Sequence, residues 1–228
     1  MSPREECVLA RSIRPYNSRV LTTSRLRLRP WRDEDLDPFA ALNADPRVRE
    51  FFPSVQTRQE SADSMRMIRD HWERRGFGLW AVEVLGGAPF IGFIGLLAPS
   101  FEAPFTPCVE LGYRLAFEHW GHGYATEGSR AALDFGFTSI GLSEIVAMAA
   151  VGNERSRRVM AHLGMTRNPA DDFDHPNIAA GHPLCRHVLY RLTAHDWSIR
   201  RAAPSARDAT GRHSTGPSAL SLLRRSLA

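Results

Sequence analysis

Residues 120–126 of this 228-residue chain read Trp120-Gly121-His122-Gly123-Tyr124-Ala125-Thr126. Gly121 and Gly123 let the backbone turn tightly and leave little side chain between it and a ligand. A helix opening near Tyr124 adds free N–H groups and the positive end of its dipole. Together these form a nest for an anionic pyrophosphate. Gly-x-Gly alone reads equally well as a glycine-rich helix start. Two other phosphate-binding patterns do not fit. A nucleotide P-loop needs Gly-Lys-Ser/Thr after its glycines, and the chain has no lysine. A dinucleotide fingerprint directly follows a strand and wants a third glycine and a later acidic residue. Here Ala116-Phe117-Glu118-His119 is a spacer, and the strands upstream read as antiparallel.

The elements that must position this segment follow from periodicity. Leu21 to Leu28 alternates Leu26 and Leu28 against Arg25, Arg27 and Arg29 on the solvent side, a half-buried strand ended by Pro30. Asp33-Glu34-Asp35 supplies acidic residues to a helix start, and Asp45-Pro46 stops that helix. Thr57 with Glu60 has capping-box spacing for a helix carrying Met65, Ile68 and Trp72 and closed by Gly76. Leu79–Val84 and Pro89–Leu97 form an antiparallel hairpin about Gly86-Gly87. A strand over Val109–Leu115 precedes the glycines, and a long helix runs from Tyr124 to Ile140. Ile145–Ala150 is a strand, Asn153 opens a helix that stops at Gly164, and His187–Leu192 is the last strand. This order predicts one α/β domain, a mixed and mostly antiparallel sheet with helices on both faces. Its expected bounds are 21–199, after an N-terminal extension over 1–20 and before a mobile basic tail over 200–228.

The net charge of +4 divides unevenly. Residues 1–20 carry +2 and residues 200–228 carry +5, which leaves −3 for the body. A nucleic-acid binder concentrates positive charge on its folded face, so that role is discounted. An acidic body suits a cationic amine. No apolar run approaches the roughly 18 residues of a membrane helix, and no signal peptide is expected. Cys7, Cys108 and Cys185 fit neither a disulfide framework nor a zinc site, so a cytoplasmic location and no metal are expected. Asp171, Asp172, Asp174, His175 and His182 show no ligand spacing, and a loop built on the His-Pro pairs is the reading adopted.

Val109-Glu110-Leu111-Gly112-Tyr113-Arg114-Leu115 followed by Trp120 to Glu127 resembles the acetyl-CoA motif of the GNAT N-acetyltransferases. Thr23 to Pro30 and Asn153-Glu154-Arg155-Ser156…Leu163-Gly164-Met165 match in the same order. The similarity covers roughly Leu21 to Trp197 and is greatest to the branch containing the ribosomal-protein N-terminal acetyltransferases. The family's phosphate loop commonly begins with Gln or Arg, where this chain has Trp120.

The resemblance implies the GNAT fold, acetyl-CoA as donor and an amine as acceptor. It implies cofactor contacts from Leu111, Gly112 and Tyr113 on the strand, where a backbone N–H polarises the thioester carbonyl. The segment Trp120, Gly121, His122, Gly123, Tyr124, Ala125 and Thr126 is expected to hold the phosphates, with Asn153 and Ser156 touching the same cofactor. Glu110 is the candidate general base, because an attacking ammonium must first lose a proton. A strand carboxylate paired with Arg114 is the bland alternative. Ser156 is the candidate partner of the leaving sulfur, since the family's usual Tyr position is occupied by Met160. As a bland alternative, Asn153 caps the helix and Ser156 sits at its third residue. Catalysis needs neither metal nor covalent intermediate, and Cys108 lacks an activating base.

The expected function is therefore acetyl transfer to a primary amine, a protein N-terminus or a small molecule, in a monomer or homodimer. A non-catalytic acyl-CoA-binding regulatory domain is the alternative. A third reading makes the Arg-rich tail a ribosome or RNA tether.

Overall fold

The computed structural model describes residues 19–202, so the N-terminal extension before Arg19 and the basic tail beyond Ala202 lie outside the described residues. Nine strands form one sheet: β1 (Leu21–Thr22), β2 (Leu26–Arg29), β3 (Leu79–Val84), β4 (Gly92–Leu97), β5 (Glu110–Leu115), β6 (Glu144–Ala150), β7 (Thr166–Arg167), β8 (Phe173–Asp174) and β9 (Arg186–Thr193). Their order is β1-β2-β3-β4-β5-β6-β9-β7, with β8 also on β9. Every pairing is antiparallel except β5 with β6. The α/β expectation of a mostly antiparallel mixed sheet is met.

Helices α1 (Leu36–Ala44) and α2 (Arg58–Arg75) cover one face. There Phe39, Leu42 and Met65 meet Trp31, Ala81, Phe90 and Phe93. Helices α3 (Tyr124–Asp134), α4 (Glu154–Leu163) and α5 (Ala194–Ala202) cover the other. Their Leu133, Met160, Leu163 and Trp197 join Leu26, Leu28, Ile94, Leu96 and Ile145 in the main core. The capping box forms as expected. Thr57 Oγ1 accepts from the Glu60 amide, Glu60 accepts from the Thr57 amide at 2.7 Å, and Gly76 closes α2 at φ 71°.

The structure departs from expectation in four places. The strand over Leu21 to Leu28 is two strands, because Thr23 to Arg25 make a tight turn that pairs Leu21 with Leu28. Arg29 is not on a solvent face. It is 2% exposed, its guanidinium donates to both Asp35 carboxylate oxygens at 2.7 and 2.8 Å, and its Nε reaches Glu83 at 3.2 Å. Burial acts to lower the Arg29 pKa, but hydrogen bonds and charges from Asp35 and Glu83 outweigh it and raise it. The long helix to Ile140 changes at Phe135 into a π-helical turn over Phe135–Ile140. That turn carries Gly136 across the sheet, where a Cβ would come within 2.8 Å of Ile145 and Leu96 side-chain carbons. Helix α5 was not foreseen, although Thr193 and Asp196 spell its start: Thr193 Oγ1 accepts from the Asp196 amide at 3.1 Å. The helix carries Arg200 and Arg201 past the expected boundary at 199.

Candidate functional site

Strands β5 and β6 share one bridge, Glu110 opposite Val146, with the Val146 amide donating to the Val109 carbonyl at 2.9 Å. Beyond that pair the two strands part. On the other edge of β5 the ladder with β4 is complete from Leu97–Glu110 to Gly92–Leu115. The Ala116 amide, donating to the Ile91 carbonyl at 2.9 Å, assigns the even-numbered residues of β5 to that ladder. The odd-numbered backbone groups face β6. The single bridge directs the Leu111 amide at Val146, so the Tyr113 N–H and the Leu111 and Tyr113 carbonyls open into the gap. This narrows the expected polarising donor to the Tyr113 amide.

The gap continues into a cavity of about 670 Å³. Its walls include Glu110, Leu111, Gly112, Tyr113, Trp120, Gly121, Gly123, Tyr124, Ala125, Thr126, Asn153 and Ser156. The structure thus gathers every expected site residue except His122. The His122 ring stacks on Tyr124 with centroids 5.5 Å apart, and its carbonyl accepts from Arg25 at 3.0 Å. Gly121 and Gly123 hold φ of 76° and 78°, a region that favours glycine. Gly123 is the N-cap of α3, and the first helical return is the Glu127 amide to the Gly123 carbonyl. The amides of Tyr124, Ala125 and Thr126 precede it and stand at the positive end of the helix, and these three residues line the cavity. Apart from its chain neighbours, no atom of the described residues lies within 4 Å of where a Gly121 Cβ would stand. Residues present therefore fit a phosphate ester.

This loop is held by a residue that sequence reasoning passed over. Glu127 accepts from Thr23 Oγ1 at 2.6 Å, Ser24 Oγ at 3.0 Å, the Arg25 amide at 2.9 Å and Arg25 Nε at 2.7 Å. Burial acts to raise its pKa, yet these hydrogen bonds prevail and lower it. Arg25 also lies over the Tyr124 ring at 4.8 Å. The turn between β1 and β2 is thereby fixed to the first turn of α3. Trp120 acts from the other side. Its indole N–H donates to the Leu115 carbonyl at 2.8 Å, and the Arg155 guanidinium lies 4.7 Å from its ring.

Alternation along β5 separates two sets of side chains. Tyr113 points toward α4. Its hydroxyl donates to the Ser156 carbonyl at 3.0 Å and lies 2.8 Å from Ser156 Oγ. Burial raises its pKa, so the phenol keeps its proton. Asn153 Oδ1 accepts from the Ser156 amide at 3.1 Å, so the local capping role exists beside any cofactor contact. Glu110, Gly112 and Arg114 face the α1 and α2 side. Glu110 does not pair with Arg114. Glu110 is half-buried and lines the cavity, and burial pushes its pKa up to about 8. Cys108 nearby is pushed up to about 11, by burial first and by the Glu110 charge second, which keeps the thiol protonated and unreactive.

The loop histidines separate. His175 lines the cavity and His182 does not. His187, within the last-strand stretch, also lines it, its ring centroid 4.9 Å from that of His175. Burial lowers the pKa of both, so they are neutral near pH 7. Among the described residues no group of His, Cys, Asp and Glu is arranged to hold a metal ion, and no helix is long and apolar enough to cross a membrane.

Residues 25–166 match the family described as the acetyltransferase (GNAT) domain, so the chain belongs to the GNAT acetyltransferases. The FsC-acetyl coenzyme A-N(2)-transacetylase of Aspergillus fumigatus is 31% identical over 197 residues, 82% of this chain and 80% of the relative. A GNAT-family acetyltransferase from Bacillus anthracis shares the fold at TM-score 0.64 and 21% identity, over 78% of this chain and 99% of that one. The ribosomal-protein-S5-alanine acetyltransferase of Vibrio fischeri does so at TM-score 0.63 and 17% identity, over 79% and 99%.

Proposed function

We infer that this acetyltransferase moves the acetyl group of acetyl-CoA onto a primary amine by direct attack in a ternary complex. The observation that carries this is the single Glu110–Val146 bridge, after which β5 offers a free edge beside a half-enclosed carboxyl. Acetyl-CoA supplies the acetyl thioester. The amides at the start of α3 bind its phosphates, with Arg155 and Arg158 also on the cavity wall. The Tyr113 N–H stabilises the carbonyl oxygen as negative charge develops there. Glu110, as carboxylate, takes a proton from the acceptor ammonium, and the freed nitrogen attacks the carbonyl carbon.

When the C–S bond breaks, Ser156 Oγ gives its proton to the leaving thiolate, Tyr113 reprotonates Ser156 through their 2.8 Å contact, and Tyr113 takes up the second proton that the attacking nitrogen sheds as the amide forms. The sulfur leaves as a thiol and the amide product carries the acetyl group. No residue is left covalently modified. A relative at 31% identity bears the name of an N(2)-transacetylase, which supports nitrogen as the attacking atom.

The test is thiol release by the full-length chain with acetyl-CoA and a panel of primary amines, followed by mass analysis of the products. Amine-dependent thiol release with a mass gain of one acetyl group is expected. Acetyl-CoA binding with no release for any amine would instead establish the regulatory-domain reading. Unchanged turnover across pH in Glu110→Gln would remove Glu110 from the mechanism.

A further inference from the structure

One cavity wall holds a cation with no counter-charge. Arg114 Nη1 donates to the neutral Asn43 Oδ1 at 2.8 Å, and its guanidinium lies between Phe52 at 4.2 Å and Phe93 at 5.2 Å. Its Nε is buried with no hydrogen-bond partner. No carboxylate pairs with it among the described residues, and the neighbouring charge is another cation, Arg49. Arg49 is itself 9% exposed, donates to the Ser54 carbonyl at 2.8 Å and also lies over the Phe52 ring at 4.3 Å. A buried guanidinium without an acid partner is costly, and the simplest relief is an anion that arrives with the ligand.

The position of Arg114 decides which ligand brings it. Residues 110 and 114 lie on the same face of β5, opposite the face from which Tyr113 reaches Ser156 on α4. The cofactor's expected contacts are the free edge of β5, the start of α3 and the start of α4. Arg114 instead shares its part of the cavity with Phe52 and Phe93, toward α1 and the chain that follows it. Between its two charged ends this floor is apolar: a Cβ on Gly112 would lie 2.9 Å from Leu97 Cδ2 and 3.4 Å from Leu79 Cδ2.

We propose that the acceptor is an amine that also carries a carboxylate, its ammonium end at Glu110 and its carboxylate on the Arg114 guanidinium. This rests on the amine-acetylation reading above. The two protein groups lack opposite partners in mirror image. Burial without a cation raises the Glu110 pKa, and burial without an anion lowers that of Arg114 to about 9. A zwitterion supplies both missing charges at once. Their Cα atoms stand about 13 Å apart along the strand, so the amine and carboxylate belong to a chain several bonds long, with an apolar middle over Leu97.

The test uses straight-chain ω-amino carboxylates from β-alanine to 6-aminohexanoate, each beside its carboxamide. For the full-length wild type, kcat/KM for the best acid is expected to exceed that of its amide at least tenfold. In Arg114→Gln the ratio should fall to within about twofold while the acetyl-CoA KM stays unchanged, and Arg114→Lys should keep part of the preference. A merely structural Arg114 would lower stability without changing the acid-to-amide ratio. Equal use of acids and amides by the wild type overturns the proposal and leaves amine acetylation standing, even if the variants fail to fold. Loss of acetyl-CoA affinity in Arg114→Gln also overturns it, by assigning the cation to a cofactor phosphate. Binding of the N-acetylated acids and amides with CoA present reads the anion site without turnover. If no amine releases thiol, tighter binding of the acids supports the anion site alone, and equal binding overturns it.

Discussion

The Tyr113 hydroxyl lies 2.8 Å from Ser156 Oγ across the gap where β5 leaves β6, so the strand and the start of α4 are joined by two hydroxyls. Ser156 is fixed a second time by its amide, which donates to Asn153. A hydroxyl pair of this kind passes a proton without either group becoming charged. If it serves the leaving sulfur, Ser156→Ala and Tyr113→Phe should each lower kcat by roughly tenfold or more with little effect on the acetyl-CoA KM. The double variant should be scarcely worse than the weaker single one, because both interrupt one path. Additive losses in steady-state rates would separate the two residues.

The carboxyl of Glu110 gives two pH slopes of opposite sense. Its pKa is raised from 4.5 to about 8 by burial, and the base acts as carboxylate. With an acceptor that stays an ammonium below about pH 9, kcat/KM should rise with pH and level off above about 8 as Glu110 becomes a carboxylate. Stability runs the other way. The folded chain holds this proton more tightly than the unfolded chain, so its contribution is fully present below 4.5 and is lost as pH rises through about 8. Glu110→Gln should flatten both curves, measured as rate profiles and as denaturant midpoints. A rate profile that keeps its slope in the variant would assign the base elsewhere.

The Glu127 carboxylate anchors the phosphate-binding loop to the β1–β2 turn through four donors. Glu127→Ala should therefore raise the acetyl-CoA KM about fivefold or more, corresponding to roughly 1 kcal/mol or more of lost loop order. The kcat at saturating acetyl-CoA should change little. A KM within error of the wild type would mean that Gly121 and Gly123 hold the loop unaided.

Arg29 and Asp35 form an ion pair whose side chains are only 3% and 4% exposed. Asp35→Ala should destabilise the fold by about 3–5 kcal/mol, because it leaves the buried guanidinium with one carboxylate, Glu83, and the Pro30 and Pro89 carbonyls. Arg29→Met with Asp35→Leu should cost less than the sum of the single changes. Urea unfolding of the four proteins checks this. Full additivity would show that the two charges do not depend on each other.

Much of this was legible in the chain because local patterns have local causes. Thr57-x-x-Glu60 capped its helix, Gly76 and Gly164 ended theirs, and Gly86-Gly87 turned a hairpin, since each outcome depends on nearby backbone geometry. Gly121 and Gly123 pointed to the phosphate nest for the same reason. The missed elements were the ones decided at a distance. Nothing near Arg29 announces burial; its partners are Asp35 and, on β3, Glu83. Glu127 reads as an ordinary helix carboxylate until folding brings residues 23–25 beside it.

The sequence by itself determined the order of the longer elements up to β9, the glycine turn before α3 and the family to which the motifs belong. Folding alone decided what the strand Glu110–Leu115 can do. Period-two alternation places Glu110 with Arg114 and Tyr113 on the opposite side, but it does not say where β6 departs. The departure after Val146 frees the strand edge toward the cavity, while the packed elements around it bury Glu110, bring Tyr113 to Ser156 and give Arg114 the neutral Asn43 as its hydrogen-bond partner. Burial and charge separation arise from the whole set of packed elements, so no local pattern encodes them.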